Sequence, residues 1–213
     1  GMDMNVSQRS NGMKLDTLVL ATRNPHKTEE LKALLAGLPV AIKDLRDFPQ
    51  CPDVEEDGET LEDNAWKKAL SAHACTGLPA LADDTGLEVY YLLGRPGVHS
   101  ARYAGEAASY ADNCHKLLHE MTQVPARKRQ ARFRCVLALA AKGLEQQFEG
   151  MVQGSILLAP RGGNGFGYDP LFRPDGFDRS FAELTADEKN AISHRGRAMA
   201  QFRAWLGGGD VAH

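Results

Sequence analysis

Leu81-Ala82-Asp83-Asp84-Thr85-Gly86-Leu87 sets two adjacent carboxylates between short apolar runs. Pro79 marks a boundary, Ala80-Leu81-Ala82 reads as a short buried strand, and Leu87 to Leu92 reads as a second extended segment. Asp83 and Asp84 are therefore expected at a strand end, where the binding loops of α/β sheets gather. Two neighbouring carboxylates resist joint ionisation unless cations or hydrogen-bond donors attend them, and a hard cation such as Mg²⁺ resolves the conflict. The plainer account is an Asp-rich turn in which Gly86 supplies a positive φ.

Upstream, Leu18-Val19-Leu20-Ala21 reads as a buried strand, and Leu31, Leu34, Leu35 and Leu38 mark a helix face. The loop between them is Thr22-Arg23-Asn24-Pro25-His26-Lys27. Asn24 suits the N-cap, Pro25 the first helical position and Lys27 the third. A cation there opposes the helix dipole, and a bound anion removes the conflict. Phosphate on the free N–H groups, with Lys27 as a point charge and Thr22 and Asn24 as donors, is the chemistry this loop offers; the plainer account is an ordinary capped helix with an exposed Lys. The pattern G-x-x-x-x-G-K-[ST] is absent, which disfavours a Walker-type kinase or ATPase.

Next comes the acidic run Val54-Glu55-Glu56-Asp57-Gly58-Glu59, then Thr60 and Asp63 at capping-box spacing. The helix they open runs to about Thr76, where Gly77 ends it. Asn64 and Lys68 share a face with Ala65, Ala69 and Ala72, so close packing there allows Lys68 to point along the face into a cleft, although an exposed Lys is the commoner outcome. Downstream, Ser109 and Asp112 open another helix, with Leu117, Leu118 and Met121 inward. Arg132 to Ala140, Gln146 to Glu149 and Met151 to Ile156 predict a β-meander about Lys142-Gly143. The basic group Arg127, Lys128, Arg129, Arg132 and Arg134 reads as a solvated loop entering a strand.

Arg161 to Pro170 is glycine-rich, but Pro170 and Phe172 follow directly, so it does not open a dinucleotide-binding helix. Its Phe166 and Tyr168 offer aromatic faces to a flat ligand such as a base. Thr185 and Glu188 cap a helix containing Lys189, and Ser193 caps the next, whose Met199, Phe202, Trp205 and Leu206 face inward. Lys189, His194 and Arg195 thus gather near a helix N-terminus, a setting for phosphate or a carbonyl oxygen.

With 213 residues, 43% of them hydrophobic, the chain is long enough for one domain with a sizeable core. Its net charge of −3 gives no global pull toward nucleic acid or membrane, and neither is expected as a partner. Cys51, Cys75, Cys114 and Cys135 show no C-x-x-C or zinc-ligand spacing, which predicts a reduced protein of the cytoplasm. No apolar run approaches the roughly 20 residues that span a bilayer, and no secretory signal is expected. Gly1 ahead of Met2 reads as an added residue; residues 1–13 and 207–213 are expected to be loose tails around a domain at 14–206.

Several loops together resemble one known family. Ala21-Thr22-Arg23-Asn24-Pro25-His26-Lys27, Asn64-Ala65-x-x-Lys68, Ala82-Asp83-Asp84-Thr85-Gly86-Leu87, Ser100-Ala101-Arg102-Tyr103, Phe166-Gly167-Tyr168-Asp169-Pro170 and Ser193-His194-Arg195-Gly196 resemble, in order and at family-like intervals, the inosine/xanthosine triphosphate pyrophosphatases. The match runs from about Lys14 to Leu206, and Arg23 departs from it where the family often has Gly. The resemblance implies an elongated two-lobed α/β domain with a central mixed sheet flanked by helices, an active site in the cleft, and a homodimer. It implies Mg²⁺-dependent hydrolysis of ITP, dITP and XTP to the monophosphate and pyrophosphate, which cleanses the nucleotide pool. Carried over, Thr22 to Lys27 and Lys68 hold the phosphates, Asp84 is the general base and a Mg²⁺ ligand, and Glu55 is the second metal-linked carboxylate, with Glu56 as the alternative. Thr85 touches substrate, Phe166, Gly167, Tyr168 and Asp169 frame the base, and Lys189, His194 and Arg195 complete the site. Two rival readings stand beside it: a Maf-like pyrophosphatase of pyrimidine or modified nucleotides, and a nucleotide-binding regulator without turnover.

Overall fold

A computed structural model describes residues 15–208; the expected loose ends fall almost wholly outside that range. The elements are β1 (Thr17–Leu20), α1 (Pro25–Leu34), β2 (Ala41–Asp44), α2 (Leu61–Thr76), β3 (Ala80–Val89), β4 (Pro96–Gly97), α3 (Tyr110–Glu120), β5 (Gln130–Ala141), β6 (Leu144–Ile156), β7 (Phe172–Pro174), α4 (Ala186–Ile192) and α5 (His194–Leu206). Seven strands form one sheet in the order β2-β1-β3-β5-β6-β7, with β4 also on β3. β1 runs parallel to β2 and β3, and the remaining pairs are antiparallel, so the sheet is mixed as expected.

The helix starts follow local chemistry. Asn24 accepts from the His26 amide ahead of Pro25, and Thr60 accepts from the Asp63 amide without the reciprocal bond of a full capping box. Ser109 with Asp112 and Thr185 with Glu188 make both bonds. Each satisfies donors that the first helical turn leaves free.

The acid pair departs from expectation: it sits inside the ten-residue strand β3, not at its end. β5 pairs with β3 along its whole length, Asp83 opposite Leu137 and Asp84 opposite Val136, and this ladder carries the polar residues through. On the other edge, β1 pairs only as far as Leu81 and β4 begins at Leu87, so among the described residues no strand covers Ala82 to Gly86. A cleft lined by Asp84, Thr85 and Gly86 opens at that uncovered edge instead of at a strand end. Gly86 is not at positive φ; a Cβ there would lie 2.7 Å from the Gly97 carbonyl oxygen, so glycine lets β4 approach. The two strand candidates of the second half of the hairpin likewise merge into β6, carried by twelve residues of pairing with β5.

Strand alternation then separates the two aspartates. Leu81, Cys135 and Leu137 pack with Met199 and Phe202 of α5 on one face. Ala80, Ala82, Val136 and Ala138 pack with Ala65, Ala69 and Ala72 of α2 on the other. Asp83 shares the parity of Leu81 and Asp84 that of Ala82, so neighbouring carboxylates meet different helices. Beyond them the same strands enter a third cluster, with Leu87, Val89, Phe133, Phe172 and Phe181, and the acid pair lies where one core gives way to the next.

Two expectations are corrected. The basic group is only in part a solvated loop: Arg127 and Lys128 are exposed as expected, but Arg129 is buried and donates to the carbonyls of Met121, Val124, Ile156 and Leu157, Arg132 pairs with Glu88, and Arg134 pairs with Glu62 and Glu149. The cysteines are not all reduced, since Cys51 and Cys75 form a disulfide with Cα atoms 5.8 Å apart, while Cys114 and Cys135 are free and buried. Folding brings the loop before α2 against the end of that helix, an approach that no spacing rule encodes. Among the described residues no helix is long and apolar enough to cross a membrane.

Candidate active site

The uncovered edge of β3 opens into a cleft of about 430 Å³ that reaches from the β1–α1 loop to the glycine-rich loop and α5. A pocket of this size is in the range that holds a small-molecule ligand. On its α2 side, Lys68 fills the gap beside β3, donating to the Asp83 carbonyl oxygen at 2.6 Å, with its Nζ 2.9 Å from Glu56 Oε1 and 3.9 Å from Asp84 Oδ1. Burial raises the Asp84 carboxyl from 3.8 to about 6, with Glu56 and Asp83 adding to the rise and Lys68 and Lys27 opposing it. Its Oδ2 is buried with no hydrogen-bond partner among the described residues. Burial also opposes ionisation of Glu56, but Lys68 and Lys27 outweigh it and hold that carboxyl below the usual range. Burial disfavours the charge on Lys68, but its carboxylate neighbours Asp84, Glu56 and Asp83 outweigh it and raise its pKa.

Asp83 behaves oppositely on the other face. Arg195 donates to its Oδ2 through Nη2 at 2.8 Å and Nε at 3.1 Å, and Lys27 Nζ lies 3.4 Å from Oδ1. Burial resists ionisation, yet Lys27 and Arg195 hold the carboxyl far below its ordinary value. Arg195 also donates to Glu30 at 2.7 Å, Glu30 accepts from Lys189, and Lys189 pairs with Asp169 at 2.7 Å. One chain of alternating charge thus runs Asp83, Arg195, Glu30, Lys189, Asp169. Asp169 also accepts from the Phe166 amide at 3.0 Å. A Cβ on Gly165 would come within 2.1 Å of that carboxylate, and its φ of +73° also favours glycine.

The aromatic wall is narrower than expected. Phe166 stacks on His26 with centroids 5.5 Å apart and lies beneath Lys189 and Arg195 at 4.9 and 5.5 Å. Tyr168 is buried and donates to the Ser100 carbonyl oxygen at 2.6 Å, so it fastens the loop rather than presenting a free face. His194 lies flat on Phe133 at 4.6 Å, its Nδ1 unpartnered among the described residues. Burial, then Arg195 and Lys189, hold its pKa well below 6.5, so at neutral pH it is an uncharged ring and not a third cation.

Of the residues singled out from the sequence, Thr22, Arg23, Asn24, Lys27, Lys68, Asp84, Thr85, Phe166, Gly167, Tyr168, Asp169, Lys189, His194 and Arg195 line this cleft. Pro25 and His26 are exposed at its rim. Glu55 is exposed and does not line the cleft, whereas Glu56 does, and of the two it is Glu56 that meets Lys68. The loop side chains of Thr22 and Asn24 already bond within the protein, Thr22 Oγ1 accepting from the Asn24 amide and Asn24 Nδ2 donating to Tyr110. Glu30 and Tyr110 were not legible as site residues, because their partners lie between 86 and 165 positions away.

The contrast between the aspartates is measurable in the metal-free protein. We expect carboxyl ¹³C NMR to show one Asp titrating near pH 6, absent from Asp84→Asn, and no titration of Asp83 above the ordinary carboxylate range. A midpoint near 4 for Asp84 would remove the case for a poised base.

Residues 18–205 match the model of the Ham1 family. A dITP/XTP pyrophosphatase of Geobacter sulfurreducens is 53% identical over 191 residues, spanning 89% of this chain and 96% of that protein. Another of that name from Lactiplantibacillus plantarum is 50% identical over 190 residues, spanning 89% of this chain and 94% of its own. The solved structure of a HAM1 protein from Coxiella burnetii superposes with a TM-score of 0.82 at 42% identity, covering 90% of this chain and 98% of that one. In sequence along nearly its whole described length, and in fold, the chain belongs to the Ham1 family.

Proposed function

We propose that this chain hydrolyses deaminated purine nucleoside triphosphates, ITP, dITP and XTP, between the α- and β-phosphates, releasing the monophosphate and pyrophosphate, with Mg²⁺ as the required cation. The observation that carries the proposal is Asp84: a carboxyl raised to about 6, one oxygen unpartnered, facing Lys68 and Glu56 in a nucleotide-sized cleft. A base poised near working pH accepts a proton from water without being permanently charged or permanently quenched. The names of the relatives point to the same reaction.

Mg²⁺ needs no protein cage, because one or two carboxylates with substrate phosphates and water suffice. Among the described residues no group of three or more His, Cys, Asp or Glu converges on a metal position, while Asp84 Oδ2 and Glu56 supply the two-carboxylate arrangement. When bound, the ion neutralises phosphoryl oxygens and favours attack by water. Lys27 and Lys68 add positive charge where the triphosphate would lie, and Asp84 takes the proton of the attacking water, which leaves pyrophosphate and the monophosphate as products. Phe166 offers its ring to the purine. Arg195 carries five N–H donors, of which three are engaged, so two remain for the 6-keto oxygen of hypoxanthine or xanthine. Adenine would set a donor against those donors and leave both unpaired. A homodimer working on the free nucleotide pool of the cytoplasm completes the proposal.

Chromatography of products from ITP, dITP, XTP, GTP, ATP and the pyrimidine triphosphates, with and without Mg²⁺, tests it. The first three should give monophosphate and pyrophosphate in equal amounts, with kcat/KM about ten- to a hundredfold above ATP, the discrimination that mispaired buried donors supply. Preference for pyrimidine nucleotides would favour the Maf-like alternative, and tight ITP binding without products a regulator.

A further inference from the structure

Arg23, placed among phosphate-loop residues by its position, has both terminal nitrogens committed elsewhere. Its Nη2 donates to the carbonyl oxygen of Cys51 at 2.6 Å and of Phe48 at 3.3 Å, and its Nη1 pairs with Asp53. These acceptors lie on the segment that leads to Glu56. Cys51 is held a second time by its disulfide to Cys75 at the C-terminal end of α2. The same helix carries Lys68, which holds Glu56 at 2.9 Å. The segment from Cys51 to Glu56 is therefore fixed at both ends to α2, and Arg23 ties it across the cleft mouth to the β1–α1 loop.

We propose that Arg23 and the Cys51–Cys75 disulfide form a clamp that positions Glu56 against Lys68 and Asp84, so that Arg23 is a positioning residue for the metal-facing carboxylate and not a phosphate ligand. The clamp builds on the assignment of Glu56 to the Mg²⁺ site. Without it, a loop carrying Pro52, Asp53, Glu55 and Asp57 is held near α2, among the described residues, by the ion pairs of Glu56 and Asp57 and by the Gly58 amide on Asn64, all at its far end. Like-charge repulsion among those acids, and with Asp83 and Asp84, favours its swinging outward.

The test has one arm that needs neither metal nor turnover. Hydrogen–deuterium exchange of residues 48–58 in the metal-free full-length chain is expected to accelerate in Arg23→Ala and in the double variant Cys51→Ser/Cys75→Ser, with β1 and α5 unchanged. Reduction of the wild type with a dithiol should do the same, two electrons and two protons passing to the Cys51 and Cys75 sulfurs while the dithiol closes to its own disulfide. Cys75 is exposed, which gives the reductant access. In the second arm, the Mg²⁺ concentration for half-maximal pyrophosphate release from dITP should rise about tenfold in Arg23→Ala, the usual loss when a group supporting a metal ligand is removed. KM for dITP at saturating Mg²⁺ should change little. Arg23→Lys should recover part of the loss through a single bond to the Cys51 carbonyl, and Arg23→Ala should add nothing in a Glu56→Gln background. Unchanged exchange at 48–58, a raised dITP KM with an unmoved Mg²⁺ midpoint, or additivity with Glu56→Gln would each overturn the clamp. Should Arg23→Ala unfold the whole chain, the exchange pattern of Arg23→Lys decides. If the wild type released no pyrophosphate, the catalytic proposal would fail while the exchange arm still judged the clamp.

Discussion

Asp84→Asn should lose activity and gain stability together. As general base, Asp84 is expected to supply on the order of a thousandfold in kcat, the middle of the range for a positioned side chain that accepts a proton. Its amide cannot accept that proton and is a poor partner for a hard cation. The same carboxylate is costly to the fold. Burial raises its pKa from 3.8 to about 6, so the native state binds the proton more tightly than the unfolded chain does. The resulting destabilisation is absent below about pH 4, grows between pH 4 and 6, and is complete above 6, where it amounts to about 3 kcal/mol. Metal-free Asp84→Asn should therefore melt higher than wild type at pH 7.5 and no higher at pH 4, as read by thermal denaturation. Mg²⁺ should narrow the gap at pH 7.5, because it stabilises only the ionised carboxylate. Loss of activity with a lowered melting temperature at pH 7.5 would show that Asp84 is a structural charge instead.

The opposite pattern is expected one residue away. Asp83→Asn removes the anion that faces Arg195 and Lys27, both side chains largely out of water. Breaking one partner of a buried ion pair costs about 3–5 kcal/mol, and Glu30, which keeps its bond to Arg195, holds the loss near the lower end. For a chain of this length that is a fall in melting temperature of about 10 °C. The sign with pH is also opposite. Because the folded-state pKa is depressed, the contribution of Asp83 is complete above the ordinary carboxylate range and fades as pH falls below it. The stability gap between wild type and Asp83→Asn should accordingly begin to close as pH falls below about 4 and narrow progressively with further acidification. At temperatures where it is folded, the variant should retain far more activity than Asp84→Asn, since the carboxamide oxygen still accepts from Arg195. Full stability with activity as low as that of Asp84→Asn would reverse the two roles.

Local rules made much of the frame legible. Asn24, Thr60, Ser109, Thr185 and Ser193 announce helix starts because an N-cap is a contact within three residues, and Lys27 opposes a helix dipole whatever surrounds it. The ordered loop motifs pointed to the cleft and to the family whose model matches residues 18–205. By itself the sequence thus determined where the main helices start, which loops come together around one cleft, and the family to which the chain belongs.

What only the tertiary structure decided are contacts made across the fold. A one-residue step along β3 turns Asp84 toward α2 and Asp83 toward α5, and this alone separates a carboxyl near 6 from one held ionised. Glu56 rather than Glu55 meets Lys68 because the disulfide and Arg23 fix where the acidic segment crosses the cleft mouth. Glu30 joins Arg195 over 165 positions. Charge and burial depend on distance in space, and a sequence records distance only along the chain.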